Sequence, residues 1–234
     1  MPSNKELAIA GFYDGIYHFY GIANSFLTFG LDRWWRARAA GLAKEAAPDA
    51  LTALDACCGT GDLSLALRKT FGPGLELTGA DLSAAMLSAA KEKLPGMKFV
   101  QAEAKALPFP DASFDLVTIA FAARNLNIDK EKLLAALREF RRVLKPGGLF
   151  LNLETTRLKN PALWFLMKLY VKAIIGLLNF LSPKSSSSYN FLKDTIMGFY
   201  DADEFSVLLA EAGFTEVSCK TLCPGAVALH TARK

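Results

Sequence analysis

Apolar positions along this chain follow two alternating rhythms. Compact apolar runs at residues 51–56, 75–80, 97–101, 115–120 and 148–154 read as strands. Between them, residues 62–71, 83–94 and 129–144 carry apolar residues at helical spacing. Strands that alternate with helices predict a parallel sheet joined by right-handed crossovers. Lys145-Pro146-Gly147-Gly148 is a helix stop followed by a turn. Residues 3–45 read as helical, with aromatics at Phe12, Tyr13, Tyr17, Phe19, Tyr20 and Phe26 and a break near Gly30. Residues 161–181 are almost entirely apolar, residues 182–188 form a serine-rich run, and residues 201–212 are helical again. Strands at 214–221 and 225–232 complete the sheet as an antiparallel edge. The expected architecture is α/β and Rossmann-like: a mostly parallel seven-stranded sheet with a helical cap and a helical insertion. It is a single domain over 1–234, with a cap at 1–45, a ligand-binding core at 46–160, pocket helices and a hinge at 161–200, and completion of the sheet at 201–234.

The first strand ends in Leu54-Asp55-Ala56-Cys57-Cys58-Gly59-Thr60-Gly61-Asp62-Leu63-Ser64. A glycine turn between strand and helix lets a ligand approach the backbone closely. The second strand ends in Asp81, at the distance past a Gly-rich turn that suits the two hydroxyls of a ribose. This is not the dinucleotide fingerprint. The third glycine is missing, and Asp62 stands where a pyrophosphate would sit, so two anions would repel. A cationic nucleoside without phosphates fits better, and S-adenosylmethionine is the common one. Glu103-Ala104 follows the third strand, where a carboxylate can accept from the exocyclic amine of adenine or remain a solvated loop acid. Arg124-Asn125 follows the fourth strand, as an acceptor site or as a helix cap. Phe109 to Val117 reads as a structural turn into the fourth strand.

Composition narrows the function. Hydrophobic residues make up 52% of the 234, enough for a sizeable core. The net charge of +4 is too small for a dedicated nucleic-acid binder, though it permits weak attraction to anionic lipid. Four cysteines make no disulfide framework, which points to a reducing compartment, and they read as buried small residues. The first ten residues carry no secretory signal pattern. A cytoplasmic chain, peripheral at the inner face of the membrane, is expected.

Leu54-Asp55, Gly59-Thr60-Gly61-Asp62, Gly79-Ala80-Asp81-Leu82-Ser83 and Arg142-Val143-Leu144-Lys145-Pro146-Gly147-Gly148 resemble the class I S-adenosylmethionine-dependent methyltransferases. More specifically, Phe29 to Arg36, Phe121-Ala122-Ala123-Arg124-Asn125, Tyr189-Asn190-Phe191-Leu192 and Gly225 to His230 resemble the quinone C-methyltransferases of the menaquinone and ubiquinone pathways. The resemblance implies S-adenosylmethionine at Asp55, Gly59, Thr60, Gly61, Asp62, Asp81, Leu82, Glu103, Ala104 and Ala120. It implies a polyprenyl quinol acceptor at Arg124 and Asn125, with His230 and Asp14 as weaker base candidates. No metal and no nucleic acid are expected, and the resemblance leaves room for a homo-oligomer. Tyr20-Gly21, Phe121-Ala122 and Phe199-Tyr200 depart from the family pattern around the acceptor pocket, and a Pro-x-x-Gly near residues 175–178 is missing. Methylation of another quinone position or another hydrophobic small molecule, and a non-catalytic binding role, are the alternatives.

Lys168, Lys172 and Asn179 fall near one face of the apolar run at 161–181. Two central lysines disfavour a membrane-spanning helix. The run is expected to cover a lipid pocket or lie in a membrane interface, the alternative being a core helix with snorkelling lysines. The serine run after it is expected to act as a hinge or a solvated loop.

Overall fold

The computed structural model describes residues 27–183 and 186–234. The predicted cap from residue 3 to 26, its aromatics and Asp14 lie outside the described residues. What is described of the cap is helical at Leu27 and Thr28, turns at Phe29 and Gly30, both at positive φ, and continues as helix α1 (Asp32–Ala46). Then come β1 (Thr52–Ala56), α2 (Asp62–Phe71), β2 (Glu76–Asp81), α3 (Ala84–Lys93), β3 (Lys98–Gln101) and β4 (Phe114–Ala120). A short α4 (Ala123–Leu126) leads into α5 (Lys130–Val143), β5 (Leu144–Thr155), α6 (Pro161–Leu181) and α7 (Ser186–Met197). The chain closes with α8 (Ala202–Glu211), β6 (Thr215–Leu222) and β7 (Val227–Arg233).

The sheet order is β3-β2-β1-β4-β5-β7-β6. Strands β1 to β5 pair in parallel, and the one reversed strand among those described, β7, lies between β5 and β6. Strand order reverses between β1 and β4. That switch point opens a crevice at the carboxyl ends of the strands, where ligands bind in such sheets.

Two apolar layers flank the sheet. Leu54, Val117, Ile119 and Phe150 pack against α5 and α8 on one face. Ala53, Leu116, Leu149, Leu151 and Leu153 pack against α1 and α2 on the other. Helix α5 shows how sequence dictates the packing. Asp129 caps its first turn by accepting from the Lys132 amide at 2.9 Å, and Leu133, Leu134, Leu137 and Phe140 form one buried stripe. Close packing also explains one glycine. A Cβ on Gly79 of β2 would sit 2.7 Å from the Phe99 ring and 3.0 Å from Cys58 Sγ. The turn before β4 is structural, as expected: Arg142 donates to the Phe109 carbonyl, to Asp111 and to Glu139.

Several expectations need correction. Strand β5 begins at Leu144, because Phe114 pairs with Leu144 and the next contact is Leu116 with Leu149, so Lys145 to Gly148 bulge out of a continuing strand. The serine run is not a plain hinge, since Ser186 to Ser188 form the first turn of α7 and Ser188 is buried. Helix α6 is no core helix. It buries only Val171, Ile175 and Leu178, one stripe at helical spacing, in a small separate cluster with Tyr189, Leu192 and Ile196 of α7. Phe165 and Leu166 remain 56% and 59% exposed.

Candidate active site

The loop after β1 turns sharply. Cys57, Gly59 and Gly61 all adopt positive φ, which frees the chain to start α2 directly beneath a cleft. Gly61 itself does not face the cleft. It is the N-cap of α2, and a Cβ there would press on Leu94 at 3.3 Å. Asp55, Gly59, Thr60, Asp62, Asp81, Leu82, Glu103, Ala104, Ala120 and Asn125 all line that one cleft. Four strand ends therefore deliver the predicted residues to a single place.

Each carboxylate there is held differently. Asp81 accepts from the Gly59 amide at 2.8 Å through Oδ2 and from the Ser83 amide at 2.9 Å through Oδ1. Ser83 is in turn the N-cap of α3, with its hydroxyl accepting from the Met86 amide at 3.1 Å. Two backbone donors fix the plane of Asp81. Asp55 is fully buried, and it accepts from the Ser64 hydroxyl at 2.5 Å and the Thr118 hydroxyl at 3.0 Å. Burial pushes its carboxyl up to about 6, against the pull of those two hydroxyls and of Arg36. Asp62 accepts from Lys93 at 2.6 Å and from Thr60 at 2.9 Å, and despite its burial the Lys93 hydrogen bond and charge hold it below its ordinary value. Glu103 pairs with Lys105 at 2.7 Å. Cys57 and Cys58 face the same cleft as neutral thiols, because burial drives both well above their ordinary range. An acidic trough suits a ligand that bears positive charge. Gly59 leaves open space where any other side chain would project.

A second, mostly apolar cleft lies beside the first, lined by Leu27, Trp35, Leu158, Leu166, Met167, Tyr170, Leu192 and Ile196. Phe121 is the residue that lines both. It follows β4 with φ of 56°, a strained setting for an aromatic residue. Trp35 flanks its ring at 6.0 Å, and the Arg36 guanidinium lies over it at 5.1 Å from the centroid.

Arg124 opens into the apolar cleft and not into the acidic one. Its Nη1 donates to Glu154 Oε1 at 2.6 Å, and its backbone amide to Glu154 Oε2 at 3.3 Å. Glu154 also accepts from the Thr155 amide and hydroxyl at 2.8 and 3.0 Å. Arg124 is thus a clamped cation, 4% exposed, rather than a swinging one. Asn125 follows on α4 and faces the acidic cleft, so the adjacent pair divides between the two.

His230 is not part of this arrangement, which corrects its candidacy as a base. It sits in β7, fully buried, with Nε2 at 2.9 Å from the Ala202 carbonyl and its ring edge-on to Phe205 at 5.0 Å. Burial holds it below its ordinary value, so it is a neutral packing residue. Glu154 and Thr118 were missed by the sequence reading, and Arg36 was left unassigned. For Thr118 and Glu154 the signal was present: each stands among apolar residues of a central strand, and a buried polar group needs a partner.

A family model described as the ubiE/COQ5 methyltransferase family matches residues 1–234. Demethylmenaquinone methyltransferases from strains of Staphylococcus aureus are 36% identical over 235 residues, covering 99% of this chain and 95% of theirs. Among solved structures, an S-adenosylmethionine-dependent methyltransferase from Thermotoga maritima aligns with a TM-score of 0.66 at 19% identity, over 97% of this chain and 99% of that one. Another from Aquifex aeolicus has a TM-score of 0.54 at 21% identity, over 78% and 81%. These two structures match the fold.

Proposed function

From the premise that this chain belongs to the ubiE/COQ5 methyltransferase family, we propose that it methylates a ring carbon of a polyprenyl quinol, converting demethylmenaquinol to menaquinol. Membership makes it an S-adenosylmethionine-dependent methyltransferase. Bound in the acidic cleft, that cofactor supplies an electrophilic methyl on a sulfonium. The residues that would hold it are Asp81 at the ribose, Glu103 and Ala104 at the base, Gly59, Thr60 and Asp62 under the amino-acid part, and Leu82 and Ala120 as apolar walls.

The observation that carries the acceptor assignment is Arg124, clamped by Glu154 and facing an apolar cleft that meets the acidic one at Phe121. A quinol carbon becomes strongly nucleophilic when the neighbouring hydroxyl loses its proton. Phenols titrate near 10, so phenolate costs about 4 kcal/mol at pH 7. A fixed guanidinium lowers that cost by stabilising the developing negative charge. Arg124 cannot take the proton itself, since it stays protonated. The proton leaves by a water on its fork; after transfer the methylated ring loses its carbon-bound proton as aromaticity returns and the oxygen takes a proton back from that water, so one proton is released overall. Glu154 keeps Arg124 from collapsing into the cleft. Asn125, on the cofactor side, orients the ring edge towards the methyl. Phe121 and Trp35 exclude water from the junction.

The exposed apolar side of α6 is where a prenyl tail would reach the bilayer, which fits peripheral contact with lipid. The reading is tested by supplying chemically reduced demethylmenaquinone and S-adenosylmethionine to the protein. Menaquinone one methylene heavier by mass supports it. Cofactor binding with no turnover on this quinol, but turnover on another hydrophobic phenol, would reassign the substrate.

A further inference from the structure

The acidic cleft holds an arginine that the ribose and base assignments leave unused. Arg36 comes from α1, away from the strand ends that deliver the carboxylates of the cleft, and its side chain is buried. Among the described residues, Asp32 is its one hydrogen-bonding partner, bound through Nη1 at 2.5 Å. Thr28 donates to the other oxygen of Asp32 at 3.3 Å, so the acid holds its Arg36 in place. The face of the guanidinium lies on Phe121. Those contacts fix the plane of the fork and leave its remaining N–H donors to the cleft.

The other cations that line the cleft come from other elements. Lys105 pairs with Glu103 beyond β3, and Lys132 lies on α5 near Asp129. Arg36 stands at the β1 end, where its positive charge acts on both Asp55 and Asp62. Asp62 is already matched by Lys93 and Thr60. The β1 end therefore presents an anion and a cation together. A ligand complementary to that end carries an ammonium and a carboxylate on one carbon, as an α-amino acid does. Arg36 lines the acidic cleft and not the apolar one, so the quinol is not its partner.

Resting on the assignment of this cleft to S-adenosylmethionine, we propose that Arg36 binds the carboxylate of the cofactor's amino-acid moiety and makes the enzyme select S-adenosylmethionine over its decarboxylated form. A planar fork can meet a carboxylate with two parallel N–H bonds, which an ammonium cannot. Asp32 acts through Arg36 as a positioning residue. Seating the carboxylate also fixes the guanidinium on which the Phe121 ring rests, at the boundary between the two clefts.

The test is calorimetric binding of S-adenosylmethionine, S-adenosylhomocysteine and decarboxylated S-adenosylmethionine to the full chain, beside a thermal melt. Wild type should bind the two carboxylate-bearing ligands roughly 10- to 100-fold tighter than the decarboxylated one, the range for a charge-assisted bidentate contact. Arg36→Gln should lose that factor for the carboxylate-bearing ligands and change the decarboxylated one by less than about threefold, closing the gap. Arg36→Lys should restore only part of it. Asp32→Asn, which keeps the guanidinium but removes the charge that positions it, should lose part of the discrimination and less of it than Arg36→Gln does. An equal loss for all three ligands in Arg36→Gln, or full discrimination remaining in that variant, would overturn the proposal. Wild type binding all three equally would overturn it while leaving the cofactor assignment standing. Wild type binding none would contradict the cofactor assignment itself.

Discussion

Asp55 carries its charge at a cost. Its carboxyl titrates at about 6 in the folded chain and at 3.8 without burial. A raised folded value means that the stability linked to its proton is complete below 3.8 and is lost as pH rises through 6. The loss amounts to about 3 kcal/mol at neutral pH. Asp55→Asn keeps an acceptor for one of Ser64 and Thr118 and lets the other hydroxyl accept in turn. Denaturant melts should show the variant more stable than wild type at pH 8 and close to it at pH 4; a difference independent of pH would contradict the buried-carboxylate account. His230 works in the opposite direction. It is held neutral by burial, so its contribution is present above 6.5 and falls away as pH drops. Asp81 is a binding group rather than a stability group. Asp81→Ala should weaken S-adenosylmethionine binding by roughly 2–4 kcal/mol, the worth of two charge-assisted hydrogen bonds. Calorimetry showing unchanged affinity would remove it from the site. Both acids were legible from their place at strand ends. Glu154 was not, because its meaning depends on a partner thirty residues away that only the sheet brings near.

At the scale of elements, strands and the helices between them were legible because each is buried on a regular face. The misses share a cause. β5 keeps its pairing with β4 across Lys145 to Gly148, and a turn-like sequence cannot announce that the ladder resumes. α7 is short and serine-rich, and it is helical because Tyr189, Leu192 and Ile196 find α6, a tertiary preference that overrides local propensity. α6 itself was recognised, but its length and apolar composition suit a buried helix and an exposed one alike. Its exposure decides between them. Replacing Phe165 and Leu166 by Ser touches residues that are mostly outside the core, and Leu166 lines the apolar cleft. The melt should stay close to wild type. The rate on long-chain quinol should fall several-fold, while the rate on a truncated head group survives. Equal rates on both substrates would leave this face without a part in tail binding.

At the scale of the whole molecule, one topological fact organises the function. The order of strands reverses between β1 and β4, and both clefts gather on the side of the sheet where β1, β2, β3 and β4 end. The acidic cleft could be read from the sequence because its residues lie at predictable offsets from the strands. The apolar cleft is assembled from the start of the described chain, α6, α7 and the segment before β7, and no offset links them. Arg124 pointed to it, as did the apolar run at 161–181. The proposed mechanism makes Arg124 the cation that activates the acceptor without holding the cofactor. The direct test is single-turnover methyl transfer from labelled S-adenosylmethionine to reduced demethylmenaquinone, comparing wild type with Arg124→Ala and Arg124→Lys. Removing the guanidinium should slow transfer by roughly two to three orders of magnitude, the usual worth of one preorganised electrostatic group. Cofactor affinity should be unchanged, and Lys should rescue poorly. Transfer at the wild-type rate in Arg124→Ala would contradict the mechanism.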